Sequence, residues 1–188
     1  MLGGGGNDLI YGGDGNNTIS AQTVKLQGTE SSFIRGGADK DNISVSNVTQ
    51  SGGNFEISAY NGQNTISVNN VSVSNGTFDI SAGEDNDVIS VYGSSKISIS
   101  SGEGTDTLVF GGNVTATIAD FSVDDVISLT SAISEGSYED GVLTLGNVKL
   151  TIGVEDIRDY IYTKVKNGSS DISLGRLLGL KYWEISGN

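Results

Sequence analysis

The chain has 188 residues with no Cys, no His and no Pro, and its 23 acidic against ten basic residues give a net charge of −13. These counts argue against nucleic acid as a partner, because phosphate binding needs a basic face. They also remove thiolate and disulfide chemistry and every site built on imidazole, including most zinc centres and the usual catalytic triads, so a catalytic role is not expected. Apolar residues make up 36 % and Gly 28 of 188, with Ser, Asn, Thr and Asp filling the difference, a composition that suits short strands joined by tight turns.

Met1-Leu2 run straight into a repeat with no basic or apolar leader, which reads as a start within a longer solenoid. Gly3–Ser20 reads GGGGNDLIYGGDGNNTIS. It is two nine-residue units of the pattern G-G-x-G-x-D-x-U-x, U being a large apolar residue, with Asn17 where the second unit wants Asp. On these residues the chain resembles the hemolysin-type, or RTX, calcium-binding nonapeptide repeat. The resemblance implies a parallel β-roll with Ca²⁺ between successive turns. It also implies a secreted or cell-surface bacterial protein that leaves by type I secretion, C-terminus first, and folds on meeting calcium outside the cell.

Beyond these units the spacing persists. Ile10, Ile34, Ile57, Ile80, Ile99 and Ile118 follow one another at intervals of 24, 23, 23, 19 and 19 residues. Nine residues after each stands a second anchor: Ile19, Ile43, Ile66, Ile89, Leu108 and Ile127. Between the anchors lie six turns: GGDGNN (12–17), GGADKD (36–41), AYNGQN (59–64), AGEDND (82–87), SGEGTD (101–106) and DFSVDD (120–125). Ile43-Ser44-Val45, Ile66-Ser67-Val68 and Ile89-Ser90-Val91 alternate with period 2, as do Phe55/Ile57, Phe78/Ile80 and Ile97/Ile99 on the return side. The expected fold is all-β, a parallel β-roll or β-helix solenoid whose rungs run strand, loop, strand, turn. An antiparallel sandwich is the alternative, but sandwich turns do not keep one consensus at one spacing. The second edge carries irregular loops at Gly28–Ser32, Gln50–Asn54, Asn75–Thr77, Gly93–Ser95 and Gly111–Asn113; only Gly3–Asp8 puts a consensus turn there.

The segment 119–127 keeps the spacing without its glycines and reads as a closing turn. Gly141–Ile152 reads as a strand pair about Gly146-Asn147. Val154, Ile157, Ile161 and Val165 stand at helical spacing, with Glu155 and Asp156 first and Lys164 and Lys166 last, which predicts a helix over 154–166. A second helix is expected from Ser170-Asp171 to Leu178. Leu174, Leu177, Leu178, Leu180 and Trp183 then form a cap over the open end; a secretion signal or a docking face is the other reading of that cluster. The expected division is a β-roll over 1–130 and a β/α cap over 131–188. Residues 1–148 hold four basic and 18 acidic residues, so the acidity belongs to the solenoid. No apolar run reaches the ~18 residues of a membrane span.

The last turn positions form a column: Asn17, Asp41, Asn64, Asp87, Asp106 and Asp125. Rungs stack ~4.8 Å apart, and carboxylates at that distance repel by about 1 kcal/mol in water and ~3–4 at an effective dielectric near 20. A cation between rungs removes that cost, and calcium, which accepts six to eight oxygens including carbonyls, fits. The candidate calcium-site residues are Asp8, Gly12, Asp14, Asn17, Gly36, Asp39, Asp41, Gly83, Asp85, Asp87, Gly102, Gly104 and Asp106. The best pair of turns is 82–87 with 101–106, and next is 12–17 with 36–41; at Asp39 and Asp85 an Asp replaces the repeat's Gly. The 59–64 turn, with Ala59-Tyr60 and a neutral Asn64, is the weakest. Against this stands a metal-free reading, in which an Asn/Asp ladder supports itself and the module is a stalk or cap of an adhesin or surface fibre. A third reading is an accessory domain of a type I-secreted enzyme. Tyr11, Tyr60 and Tyr92 suit core or edge packing better than a sugar-stacking surface.

Overall fold

The Ile-Ser-Val alternation forms strands wherever it recurs. In the computed structural model, which describes residues 7–154 and 156–180, the first eight strands are β1 (Asp8–Tyr11), β2 (Thr18–Leu26), β3 (Ser31–Arg35), β4 (Asn42–Ser58), β5 (Thr65–Gly83), β6 (Val88–Gly102), β7 (Thr107–Ile118) and β8 (Val126–Leu129). Every pairing among them is parallel, so the architecture is a parallel β-solenoid and not a sandwich. The register follows the sequence repeat residue for residue. Ile10 pairs with Ile34, then Ile57, Ile80, Ile99 and Ile118. Ile19 likewise leads through Ile43, Ile66, Ile89 and Leu108 to Ile127. From the second rung on both columns are buried to 1 % exposure or less. Phe55 and Phe78 stack beside them with ring centroids 4.7 Å apart. Burying such a side chain contributes about 2 kcal/mol, and only stacking of neighbouring rungs achieves it.

The coils are smoother than a strand–loop–strand reading expects. β4 and β5 run through the second edge as single strands of 17 and 19 residues. They bend at corners in the left-handed region: Thr23 (φ 64°), Asn47 (φ 54°) and Asn70 (φ 53°) form one corner column. Thus the segments expected as loops at Gln50–Asn54, Asn75–Thr77, Gly93–Ser95 and Gly111–Asn113 lie within strands, and only the first, near Gly28, remains a turn. The coil shortens from 23 to 19 residues between β5 and β6, by omitting a partner for Asn70 and tightening the stretch between Ser72 and Asp79. Tyr92 is half-buried, whereas Tyr11 and Tyr60 stay 63 % and 43 % exposed, so core or edge packing does not account for those two.

After β8 the topology changes. β9 (Gly136–Glu139), β10 (Val142–Leu145) and β11 (Val148–Ile152) form an antiparallel meander, with the expected hairpin at Gly146-Asn147 and β9 as an addition. β11 lies parallel to β7 and places Ile152 on Ile118, extending the first Ile column. The helix expected over 154–166 does not form. One 3₁₀ turn, Ile157–Tyr160, is followed by β12 (Lys164–Asn167), which lies parallel to β8 with Val165 on Ile127. The unpaired edge of β8 needs backbone partners, and Thr163-Lys164-Val165-Lys166 alternates buried and exposed as well as any strand. The second expected helix also shrinks. Ser170–Ser173 is β13, antiparallel to β12, and only Leu174–Leu177 makes a helical turn, α1, capped by Ser173. Leu174 and Leu177 cap the core as expected; Trp183 and Glu155 lie outside the described residues. One contiguous apolar core runs from Ile19 to Leu177. Among the described residues no helix is long and apolar enough to cross a membrane.

Candidate metal centre

The six turns stack on one edge, and their last residues make a continuous ladder directed inward. The backbone N–H of Asn17 donates to Asp41 Oδ1 (2.7 Å), that of Asp41 to Asn64 Oδ1 (2.8 Å), and that of Asn64 to Asp87 Oδ1 (2.6 Å). The series continues from Asp87 N–H to Asp106 Oδ1 (2.8 Å) and from Asp106 N–H to Asp125 Oδ1 (3.0 Å). Small residues at the head of the first five turns, Gly12, Gly36, Ala59, Ala82 and Ser101, make room for this. A Cβ on Gly36 would lie 2.2 Å from Asp41 Oδ2, and one on Gly12 2.8 Å from Asn17 Cγ. Asp41, Asn64, Asp87, Asp106 and Asp125 are all at most 2 % exposed.

One oxygen of each carboxylate is therefore held by a backbone donor, which removes part of the repulsion expected along the column. At three of the four the other oxygen is not. Oδ2 of Asp41, Asp87 and Asp106 is buried without a hydrogen-bond partner. An unpaired buried acceptor costs about 1–3 kcal/mol, more when charged. Burial is the first cause that pushes the Asp87 carboxyl up to about 7, with Asp106 and Asp85 adding to it against the opposing Asn64 N–H bond. Burial likewise raises Asp106 to about 6, against the Asp87 N–H bond and the nearby Ser101 side chain, which lies outside hydrogen-bond geometry to Oδ2, and raises Asp125.

The asparagine rungs resolve the same geometry differently. Asn17 Nδ2 donates to the carbonyls of Gly13 (3.1 Å) and Gly15 (2.7 Å). Asn64 Nδ2 donates to Tyr60 O (3.0 Å), Asn61 O (3.5 Å) and, across to the next turn, Ala82 O (3.3 Å). The turn interior is thus lined by carbonyls, and at the Asp rungs a carboxylate oxygen stands where the amide nitrogen stands at the Asn rungs. Such a nest of oxygens suits a hard cation. Among the described residues no three acidic side chains converge, so calcium here would draw most of its ligands from backbone carbonyls.

The other candidate residues divide into two sets. Gly83 (φ 116°), Gly102 (φ 97°) and Gly104 (φ 130°) shape the turns 82–87 and 101–106, and Asp85 takes the left-handed backbone (φ 79°) expected of it. Asp39 does not adopt that conformation; instead its Oδ2 accepts from Gly15 N–H (2.9 Å) in the preceding turn. Asp14, Asp39 and Asp85 are exposed on the rim and outside the ladder. Asp8 begins β1 opposite Ser32, at the other end of the strand from the ladder, and the rest of its turn, 3–6, lies outside the described residues.

One residue of this edge, Asp120, escapes a reading by consensus. Asp120, where the repeat has Gly, accepts from Ser101 N–H (3.0 Å), Gly102 N–H (2.9 Å) and Ser100 Oγ (2.6 Å). Asp125 Oδ2 accepts from Ser122 N–H (2.8 Å). The DFSVDD turn is thus satisfied by protein donors, as a closing turn should be. Replacing Asp120 by Ala strands two backbone donors and is expected to cost about 2 kcal/mol with or without calcium, read as a shift of the urea midpoint.

Neither the curated proteins nor the solved structures compared with the chain gave a match. Residues 1–22 match the family model described as RTX calcium-binding nonapeptide repeat (4 copies). The match thus covers the N-terminal stretch that leads into β1 and the first turn of the solenoid, and there the chain is similar to RTX calcium-binding repeats.

Proposed function

We propose that the chain is a calcium-binding β-roll module of a secreted or cell-surface bacterial protein, and that it completes its folding on Ca²⁺ outside the cell. The observation that carries this reading is the set of buried, unpartnered Oδ2 atoms of Asp41, Asp87 and Asp106. Without a cation they destabilise the turn edge; with calcium between turns they become ligands, so binding energy becomes folding energy. The partners that follow are calcium ions, a type I secretion channel and neighbouring domains of a longer protein. The module performs no chemistry of its own. A calcium-independent stalk of an adhesin is the second reading, favoured by the Asn rungs, whose amides are satisfied without metal.

Far-UV circular dichroism of the metal-stripped chain during a calcium titration, with magnesium as control, separates the two. A cooperative gain of β signal with calcium alone is the expected result. A fully folded stripped protein whose spectrum and melting temperature ignore calcium would establish the stalk.

A further inference from the structure

The ladder contains both the problem and a solution to it. At Asn64 a side-chain amide reaches the carbonyls of Tyr60 and Asn61 in its own turn and of Ala82 in the next. It links two successive turns through their carbonyls while its oxygen takes the N–H of Asp41. At Asp41, Asp87 and Asp106 the same ladder bond is made through Oδ1, but the second atom is an oxygen with no donor. Asn and Asp have the same shape, so the two kinds of rung differ by one atom, and that atom decides whether the turn interior needs a positive charge.

We propose that the amide of Asn64 stands in for a cation, making 59–64 a metal-independent rung that divides the calcium-binding rung of Asp41 from the pair at Asp87 and Asp106. This rests on the calcium reading above. Under it, Asn64 limits how many ions the edge takes up and keeps the middle of the solenoid folded when calcium is withdrawn. The mutual support is local, because each rung contacts only its neighbours. The turn that reads as the weakest calcium site in the sequence is then a built-in staple.

Two single-atom substitutions in the full chain test this in opposite directions. Asn64→Asp is expected to lower the melting temperature in chelator at pH 8 by about 5 °C or more. Calcium is then expected to restore it, and calorimetric titration is expected to count one more calcium per chain. Asp87→Asn is expected to raise the melting temperature in chelator and to remove one calcium from the count. The second variant decides the matter if the first does not fold without metal. An Asn64→Asp protein as stable in chelator as the parent, or one that takes up no additional calcium while the parent does bind it, overturns the proposal. If neither the parent nor Asn64→Asp binds calcium, the calcium reading itself fails, and the proposal with it. The chelator melts then still report whether the amide satisfies the carbonyls.

Discussion

Gly102→Ala is expected to abolish the stable fold of the turn edge, at a cost of more than about 4 kcal/mol, seen as a collapse of the urea midpoint and loss of calcium response. Gly102 sits at φ 97°, and a Cβ there would stand 1.6 Å from the carbonyl oxygen of Gly83 and 2.6 Å from its carbon. Both are backbone atoms of the neighbouring rung, held by the parallel ladder on either side, so neither can yield without separating two coils. Gly13 provides the control. It occupies the same place in its own turn at φ 89°, but a Cβ on it meets nothing within 4 Å. Gly13→Ala should therefore cost only the strain of the left-handed backbone, roughly 1–2 kcal/mol. Equal effects for the two substitutions would show that close stacking of turns is not what holds this edge.

In the absence of calcium the protein is expected to lose stability as the pH rises from about 4 to about 7, the reverse of the usual behaviour of carboxylates. The Asp87 carboxyl stands at about 7 and the Asp106 carboxyl at about 6, against 3.8 for an unperturbed group, and burial is the first cause at both. The folded chain then holds protons that the unfolded chain has released. That contribution is complete below about pH 4 and is lost progressively as the pH rises from there through 6 and 7; summed over the two carboxyls its upper bound is on the order of 7 kcal/mol. Urea midpoints of the stripped protein at pH 4.5, 6 and 7.5 measure it, and Asp87→Asn should flatten the profile. Saturating calcium should invert it, since calcium binds the deprotonated form. A stability that climbs across this range in stripped protein would show that burial does not penalise these carboxylates.

The solenoid was legible because its repeat is a register. Ile-to-Ile intervals of 24, 23, 23, 19 and 19 are the offsets at which the strands pair, since one residue of slip would turn a whole apolar column outward. The cap was less legible because one spacing serves two periods. Val154, Ile157, Ile161 and Val165 fit a helix, yet Val165 is wanted on top of Ile127, and the open edge of β8 prevails over local propensity. The column Asn17–Asp125 was visible as a column, but not the direction of its side chains. Nothing in an Asp in a turn says whether it faces solvent or the neighbouring rung's N–H; that depends on the small residue at the head of the turn, as Gly36 does for Asp41. A search for charge passes over Asn64, yet it is the neutral amide that can donate to three carbonyls.

A stack of identical rungs is a polymer without a natural length, because every rung offers the same acceptor on one side and the same donor on the other. The closing turn acts as a chain stopper. Asp125 gives its side chain to Asp106 N–H and to Ser122 N–H, while its own N–H turns back to the carbonyl of Ser122 (3.3 Å). The ladder donor at this position is thereby used within its own turn and is not offered to a rung from another molecule. Beside it β12 covers β8 and is itself closed by the antiparallel β13, while β11 covers β7 and is closed by β10 and β9. Parallel growth ends in two antiparallel seams, so the C-terminal face resists end-to-end fibre formation, and a substitution that reopened it would be read first as filaments rather than as unfolding.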